Sequence, residues 1–227
     1  MQNSLSFVKL VKYIEGYDFG EFFNEWNADD FIDYLYDASE EYQKGDWYCE
    51  YGATKLVIVM NDENIVFKIP FNSFRDYVCN TTSFFCGAPA TSTWDYCEVE
   101  DERYDMAKEN GFADYLAETD IIYNTKNGIR IYIQDKCSPI LKSYRRNKKN
   151  ADEYRKIERR YSSRTHNWIS IEEPTWIVTF VKLYGYEELE RFLDFLSESE
   201  WDDDLTADNI GYRNNEPVLI DYCSFWD

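Results

Sequence analysis

Two stretches of this chain read as β-hairpins, and a helix-patterned segment lies between them. In the first, Lys55-Leu56-Val57-Ile58-Val59-Met60 is followed by the polar turn Asn61-Asp62-Glu63-Asn64 and then by Ile65-Val66-Phe67-Lys68-Ile69-Pro70. Branched residues on both sides of polar turn chemistry are what a hairpin needs. In the second, Ile121 to Ile133 runs through Asn127-Gly128, a dipeptide suited to the left-handed positions of a tight hairpin turn. Between them, Glu98 to Asn110 carries helical spacing and is closed by Gly111. Residues 71–96 are irregular, with Asn80-Thr81-Thr82-Ser83 and Gly87-Ala88-Pro89-Ala90, and read as a long insertion or lid-like loop.

The flanks of this region are helical in pattern. Residues 1–46 hold Phe22, Trp26, Phe31, Tyr34 and Leu35 at helical spacing among many acids, which predicts two or three short helices. Pro174 to Tyr184 reads as a buried helix with proline in its first turn and Gly185 at its end. Tyr186 to Ser199 is a second, with Leu189, Phe192, Leu193 and Leu196 on one stripe. That stripe is a core face.

Charge and cysteine usage exclude several classes of protein. The 227 residues include 44 Asp and Glu against 24 Lys and Arg, a net charge of -20 that argues against nucleic acid as a general partner. Apolar residues at 44% and aromatics at 19% exclude disorder as the source of that acidity. No apolar run approaches the ~18 residues of a membrane span, and no signal-peptide pattern opens the chain, so the expectation is a cytoplasmic protein with no membrane partner. The six cysteines form no C-x-x-C, which points to neither zinc nor a disulfide framework. A single histidine, His166, argues against a Ser-His-Asp hydrolase or a multi-histidine metal enzyme.

One strip breaks the acidity: Lys142 to Arg164 holds ten of the 24 bases. Asp152 to Tyr161 within it reads as a solvated helix neutralising acidic neighbours. The functional alternative is a docking strip, residues 142–164, for an anionic protein substrate or partner.

The last 27 residues carry the densest chemistry. Asp204 precedes Leu205, Asn209 follows five residues after the aspartate, and Asn214-Asn215-Glu216-Pro217 turns the chain into Val218-Leu219-Ile220, which ends on Asp221. A loop and a hairpin thus hold three side chains with oxygen ligands, the kind a Mg²⁺–phosphate site uses. Upstream, Lys68 lies inside an apolar strand, where an unpaired ammonium is costly. Alternation allows it the wet face; the functional reading sends it into a cleft to hold phosphates.

The order D-L-x-x-x-N, then a hydrophobic strand and Asp221, resembles the catalytic loop and metal-binding aspartate of the protein kinase-like superfamily. Val66-Phe67-Lys68-Ile69 resembles the kinase V-A-I-K strand, with a turn glycine upstream at Gly52. The segment Asp204 to Tyr222 looks similar to compact bacterial and phage-encoded members, and the resemblance covers about residues 47–227. It implies an α+β, two-lobed protein kinase-like fold: a helical extension at 1–46, an antiparallel β-sheet N-lobe at 47–134, and a hinge with a minimal, mainly helical C-lobe at 135–227. It implies a Mg²⁺–ATP-dependent phosphotransferase, with Asp204 orienting or deprotonating the acceptor hydroxyl and Asn209 and Asp221 holding Mg²⁺. Lys68 would grip phosphates and a helix glutamate would orient it. Glu100 shares a face with Tyr104 and Ala107 and so best points inward, while Glu98 and Glu102 remain rivals. Gly52 would cover the nucleotide, and the hinge at Gln134, Asp135 and Cys137 would offer backbone groups to adenine.

The chain departs from the family in several places. Gly52 lacks its two companion glycines, Asp202 and Asp203 stand where His and Arg or Gly are usual, and Tyr222 and Cys223 replace Phe and Gly. The sequence ends six residues after Asp221, which predicts a truncated C-lobe without an activation segment. These departures keep a second expectation alongside the first: a nucleotide-binding pseudokinase, or an acidic interaction protein acting through a partner. Asp18-Phe19-Gly20 spells a kinase-like tripeptide but follows no strand and is read as chance.

Overall fold

The computed structural model describes residues 5–19, 23, 25–38, 47–52, 54–71, 95–126, 128–140, 150–171, 173–201 and 205–222. It is a mixed α+β chain that divides into two compact units. The first comprises Met1–Glu102 with Glu118–Lys136, and the second Arg103–Ala117 with Cys137–Asp227. No helix among the described residues is long and apolar enough to cross a membrane.

The first unit is built on five antiparallel strands: β1 (Trp47–Tyr51), β2 (Lys55–Met60), β3 (Ile65–Pro70), β4 (Thr119–Asn124) and β5 (Arg130–Asp135), in the spatial order β1-β2-β3-β5-β4. The β2–β3 and β4–β5 hairpins are those expected from their turns. Strand β1, reading W-Y-C-E-Y, adds an edge that the polar residues at its centre obscure in the sequence.

Register explains why β2 and β3 are buried almost throughout instead of alternating. Leu56, Ile58, Phe67, Ile69, Ile131 and Ile133 form one face. They pack with Phe7, Leu10 and Ile14 of helix α1 (Leu5–Gly16) and with Phe31 and Leu35 of α2 (Glu25–Ala38). The opposite face carries Lys55, Lys68, Tyr132 and Gln134, for Lys68 lies opposite Val57 on one side and Tyr132 on the other. That face is covered by the first half of α3 (Tyr96–Glu109). With both faces covered there is no wet face for Lys68, and it is 3% exposed.

Helix α3 begins at Tyr96, just after Asp95, whose Oδ1 accepts the backbone N–H groups of Cys97 and Glu98 at 3.0 and 3.1 Å. The capping aspartate sets the start two residues earlier than spacing suggested. At its other end Gly111, at φ +80°, closes a Schellman turn in which Phe112 N–H donates to Ala107 C=O at 2.7 Å and Gly111 N–H to Lys108 C=O.

The second unit packs α4 (Ala151–Thr165), α5 (Pro174–Tyr184) and α6 (Tyr186–Glu198) with a small sheet. Its strands are β6 (Ser138–Pro139), β7 (Ile210–Arg213) and β8 (Glu216–Leu219), in that spatial order. Glu173 caps α5 by accepting Thr175 N–H at 3.1 Å, Pro174 follows, and Gly185 separates α5 from α6. Trp176, Phe180, Leu189, Phe192, Leu193 and Leu196 form the centre of this core, with the Phe180 and Phe192 rings stacked at 5.7 Å. The β7–β8 turn places Asn214 and Asn215 at φ 54° and 69°, the left-handed pair a two-residue hairpin requires.

Candidate functional site

In the first unit, Lys68 Nζ on β3 donates to Glu100 Oε2 on α3 at 2.6 Å. Of the three glutamates left open by helical spacing, Glu100 is the one that meets this lysine. Glu98 lies at the surface with Arg130, at 2.6 Å, and Glu102 is exposed. Glu100 is fully buried. A second cation reaches it: Lys55 Nζ, on β2, donates to Glu100 Oε1. Residue pattern alone does not single out Lys55, because a lysine at the first position of a strand looks like a solvated end. In the structure it is 2% exposed. Its register marks the difference, since Lys55 lies on the same face as Lys68, one diagonal step away on the neighbouring strand.

Neutral donors also reach Glu100. Thr119 Oγ1 donates to Glu100 Oε2 at 3.1 Å, and Gln134 Nε2 donates to Thr119 Oγ1 at 2.8 Å. Cys97, one helical turn before Glu100, is fully buried, and burial pushes its thiol well above the ordinary value of 9, despite the opposing pull of the Lys55 ammonium. Its burial favours the thiol over the thiolate.

The remaining first-unit positions divide. Gly52 is exposed, its N–H donating to Lys55 C=O at 3.2 Å, and a Cβ added there would meet nothing within 4 Å. No described residue crowds that position. Gln134 lies inside the ladder, opposite Val66 and Thr119, so its backbone groups serve the sheet and its carboxamide is buried against Thr119. Asp135 ends β5 opposite Ile65, and the next N–H, of Lys136, donates to Asn64 C=O at 3.0 Å.

In the second unit, Asn209 and Asp221 stand at the same end of the β7–β8 hairpin. Asn209 C=O accepts Ile220 N–H at 2.8 Å and Asp221 N–H at 3.2 Å, which fastens the two backbones together just beyond the paired residues Ile210 and Leu219. Tyr222, which follows Asp221, is anchored firmly. Tyr222 is buried, its hydroxyl donates to Ala117 C=O at 2.8 Å, and its carbonyl accepts Arg103 Nη1 at 2.6 Å. Arg103 in turn sits 5.2 Å from the Trp201 ring. A tyrosine here therefore supplies a hydrogen bond that phenylalanine would lack. Cys137, a half-buried thiol, opens the second stretch of this unit. Asp204, Asp203 and Cys223 lie outside the described residues, as do residues 141–149 of the basic strip and most of the expected lid-like loop.

Asn209 and Asp221 offer an amide oxygen and a carboxylate, hard donors suited to Mg²⁺. Among the described residues no three His, Cys, Asp or Glu side chains gather as a metal site of their own, and this pair contains a single acid. On α4, Arg160 pairs with Glu187 at 2.9 Å, and Arg164 with Glu190 and Asp194 at 2.6 and 3.0 Å. These arginines pair with acids of α6 within their own unit, as expected of a helix that neutralises acidic neighbours, but α4 is not solvated all round: Ile157 and Tyr161 are buried in the core. Comparisons of the chain with family models, curated proteins and solved structures return no match.

Proposed function

We propose that this chain is a Mg²⁺–ATP-dependent phosphotransferase of the kinase-like type. The observation that carries the reading is the buried ion pair between Lys68 on β3 and Glu100 on α3, the next helix after β3 among the described residues. Kinases place their phosphate-binding lysine on the third strand and its orienting glutamate on the next helix. A buried lysine–carboxylate pair gains little stability over an apolar pair of the same volume, so its presence calls for a use.

Under this reading Glu100 fixes the Lys68 ammonium so that it meets phosphate oxygens without first being ordered. Gly52, with no side chain to fend off a ligand, lets the β1–β2 connection lie close to a nucleotide. Asn209 and Asp221 would hold Mg²⁺, which when bound would neutralise charge on the nucleotide phosphates as one phosphoryl group is transferred. Asp204 accepts the proton of the acceptor hydroxyl. The hydrogen-bonded backbone at the hairpin end and the anchored Tyr222 would limit rearrangement of Asn209 and Asp221 during the reaction.

Thermal unfolding with ATP, with and without Mg²⁺, tests the reading. A ligand at ~100 times its dissociation constant stabilises by about 2.7 kcal/mol. The expected result is a Mg²⁺-dependent rise in Tm that Asp221→Asn abolishes. No nucleotide-dependent rise in the parent chain would end the reading. Asp204→Asn then separates transfer from binding. A phosphotransferase loses turnover in this variant and keeps ATP binding. A parent that binds ATP and hydrolyses or transfers none would instead be a nucleotide-binding pseudokinase.

A further inference from the structure

The second lysine on Glu100 has no part in the scheme above. Orientation of Glu100 does not call for it, because the Gln134–Thr119 chain already holds Oε2 through neutral donors. A neutral donor at position 55 would hold Oε1 equally well, without setting a second ammonium on the same sheet face one diagonal step from Lys68. Like charges this close oppose each other strongly where water is excluded. Both ammonium groups are nonetheless buried, at 2% and 3% exposure, and both reach one carboxylate. Two cations held side by side suit a ligand that carries more than one negative charge on neighbouring oxygens.

We infer that Lys55 and Lys68 form a two-lysine clamp for a polyphosphate, in which Lys55 contacts a phosphate of the nucleotide directly. The inference rests on the proposed nucleotide function and extends it. Its place in the chain is consistent: Lys55 opens β2, its carbonyl accepts the N–H of Gly52, and the connection preceding it is open at Gly52. Glu100 meets both ammonium groups, one on each carboxylate oxygen, and so orients both toward the same side of the sheet.

The test compares affinities for AMP, ADP and ATP, each with Mg²⁺, in the parent and in Lys55→Gln, Lys68→Gln and the double variant. Isothermal titration is run on protein whose folding is checked by circular dichroism. Lys55→Met keeps the buried stem and serves if the glutamine variant does not fold. A charge-assisted hydrogen bond lost to phosphate corresponds to about a tenfold to hundredfold weakening. Lys55→Gln is expected to lose that much for ATP and at most about threefold for AMP, and Lys68→Gln is expected to retain residual ATP binding that the double variant lacks. Two results overturn the clamp and leave the nucleotide reading intact. One is ATP affinity unchanged in the Lys55 variants while Lys68→Gln weakens. The other is equal losses for AMP and ATP, which a purely structural lysine would give. A parent chain that binds none of the three nucleotides overturns both.

Discussion

At the scale of single residues, burial decides the behaviour of the thiols. Cys97 is fully buried and its thiol is held well above 9; Cys49 is pushed up to about 11 by desolvation, partly offset by Tyr36. Both folded values are raised, so the folded chain keeps protons that the unfolded chain releases. Their contribution to stability is complete below the unfolded value and is lost as pH rises towards the folded ones. Stability should therefore fall from about pH 9 upward, by up to about 1.4 kcal/mol per pH unit for each thiol. Tyrosines enter only above about pH 10, which leaves the interval below that to the cysteines. Urea unfolding under reducing conditions should show this decline in the parent and a shallower one in Cys97→Ala. A flat profile, or an unchanged slope in the variant, would contradict the account. The same burial explains what a sequence alone conveys about the lysines. Lys68 stands out because it interrupts an apolar strand. Lys55 does not, because its chain neighbours give no sign that α3 covers it.

At the scale of elements, the close approach of β6 to β7 depends on one missing side chain. A Cβ on Gly211 would lie 2.5 Å from Ser138 C=O and would also strike the Ile220 side chain. The isoleucine tip can rotate away, but the Ser138 backbone is held in register opposite Tyr212. Gly211 C=O also accepts the buried Trp176 indole N–H at 3.1 Å, so a shift of β7 would strand that donor. Gly211→Ala is expected to destabilise the second unit by about 1–3 kcal/mol, read by urea denaturation with Trp176 among the fluorescent reporters. A variant as stable as the parent would mean that β6 moves freely. Helices and hairpins with their own punctuation are legible in the residues themselves: Pro174 and Gly185 bracket α5, and Asn214-Asn215 turns β7 into β8. Elements defined by their partners are not. Strand β1 exists because β2 pairs with it, and β6 is two residues long and exists because β7 lies alongside. In the candidate site, the facing of Glu100 follows from helical spacing with Tyr104 and Ala107. The joining of Asn209 to Asp221 by backbone hydrogen bonds is a property of hairpin register that residue types do not announce.

At the scale of the whole molecule, electrostatics is set by a surplus of acids, for a net charge of -20. Salt acts on such a chain in two opposing ways. It weakens exposed ion pairs such as Arg155–Asp152, Arg160–Glu187 and Lys182–Glu153, all of them well exposed. It also screens the mutual repulsion of the surplus carboxylates, with a Debye length of about 30 Å at 0.01 M falling to about 10 Å at 0.1 M. Exposed pairs contribute little to stability, whereas the repulsion sums over many charges within that longer range. The buried pairs on Glu100 lie in the interior and are screened far less, so salt leaves them nearly unchanged. Repulsion should win. Raising NaCl from about 0.01 to about 0.3 M is expected to raise Tm by several degrees, since 1 kcal/mol corresponds to about 2–4 °C at this chain length. A fall in Tm over that range would mean that the α4–α6 ion pairs outweigh the surplus charge, and the basic residues of α4 would then be structural supports of the second unit.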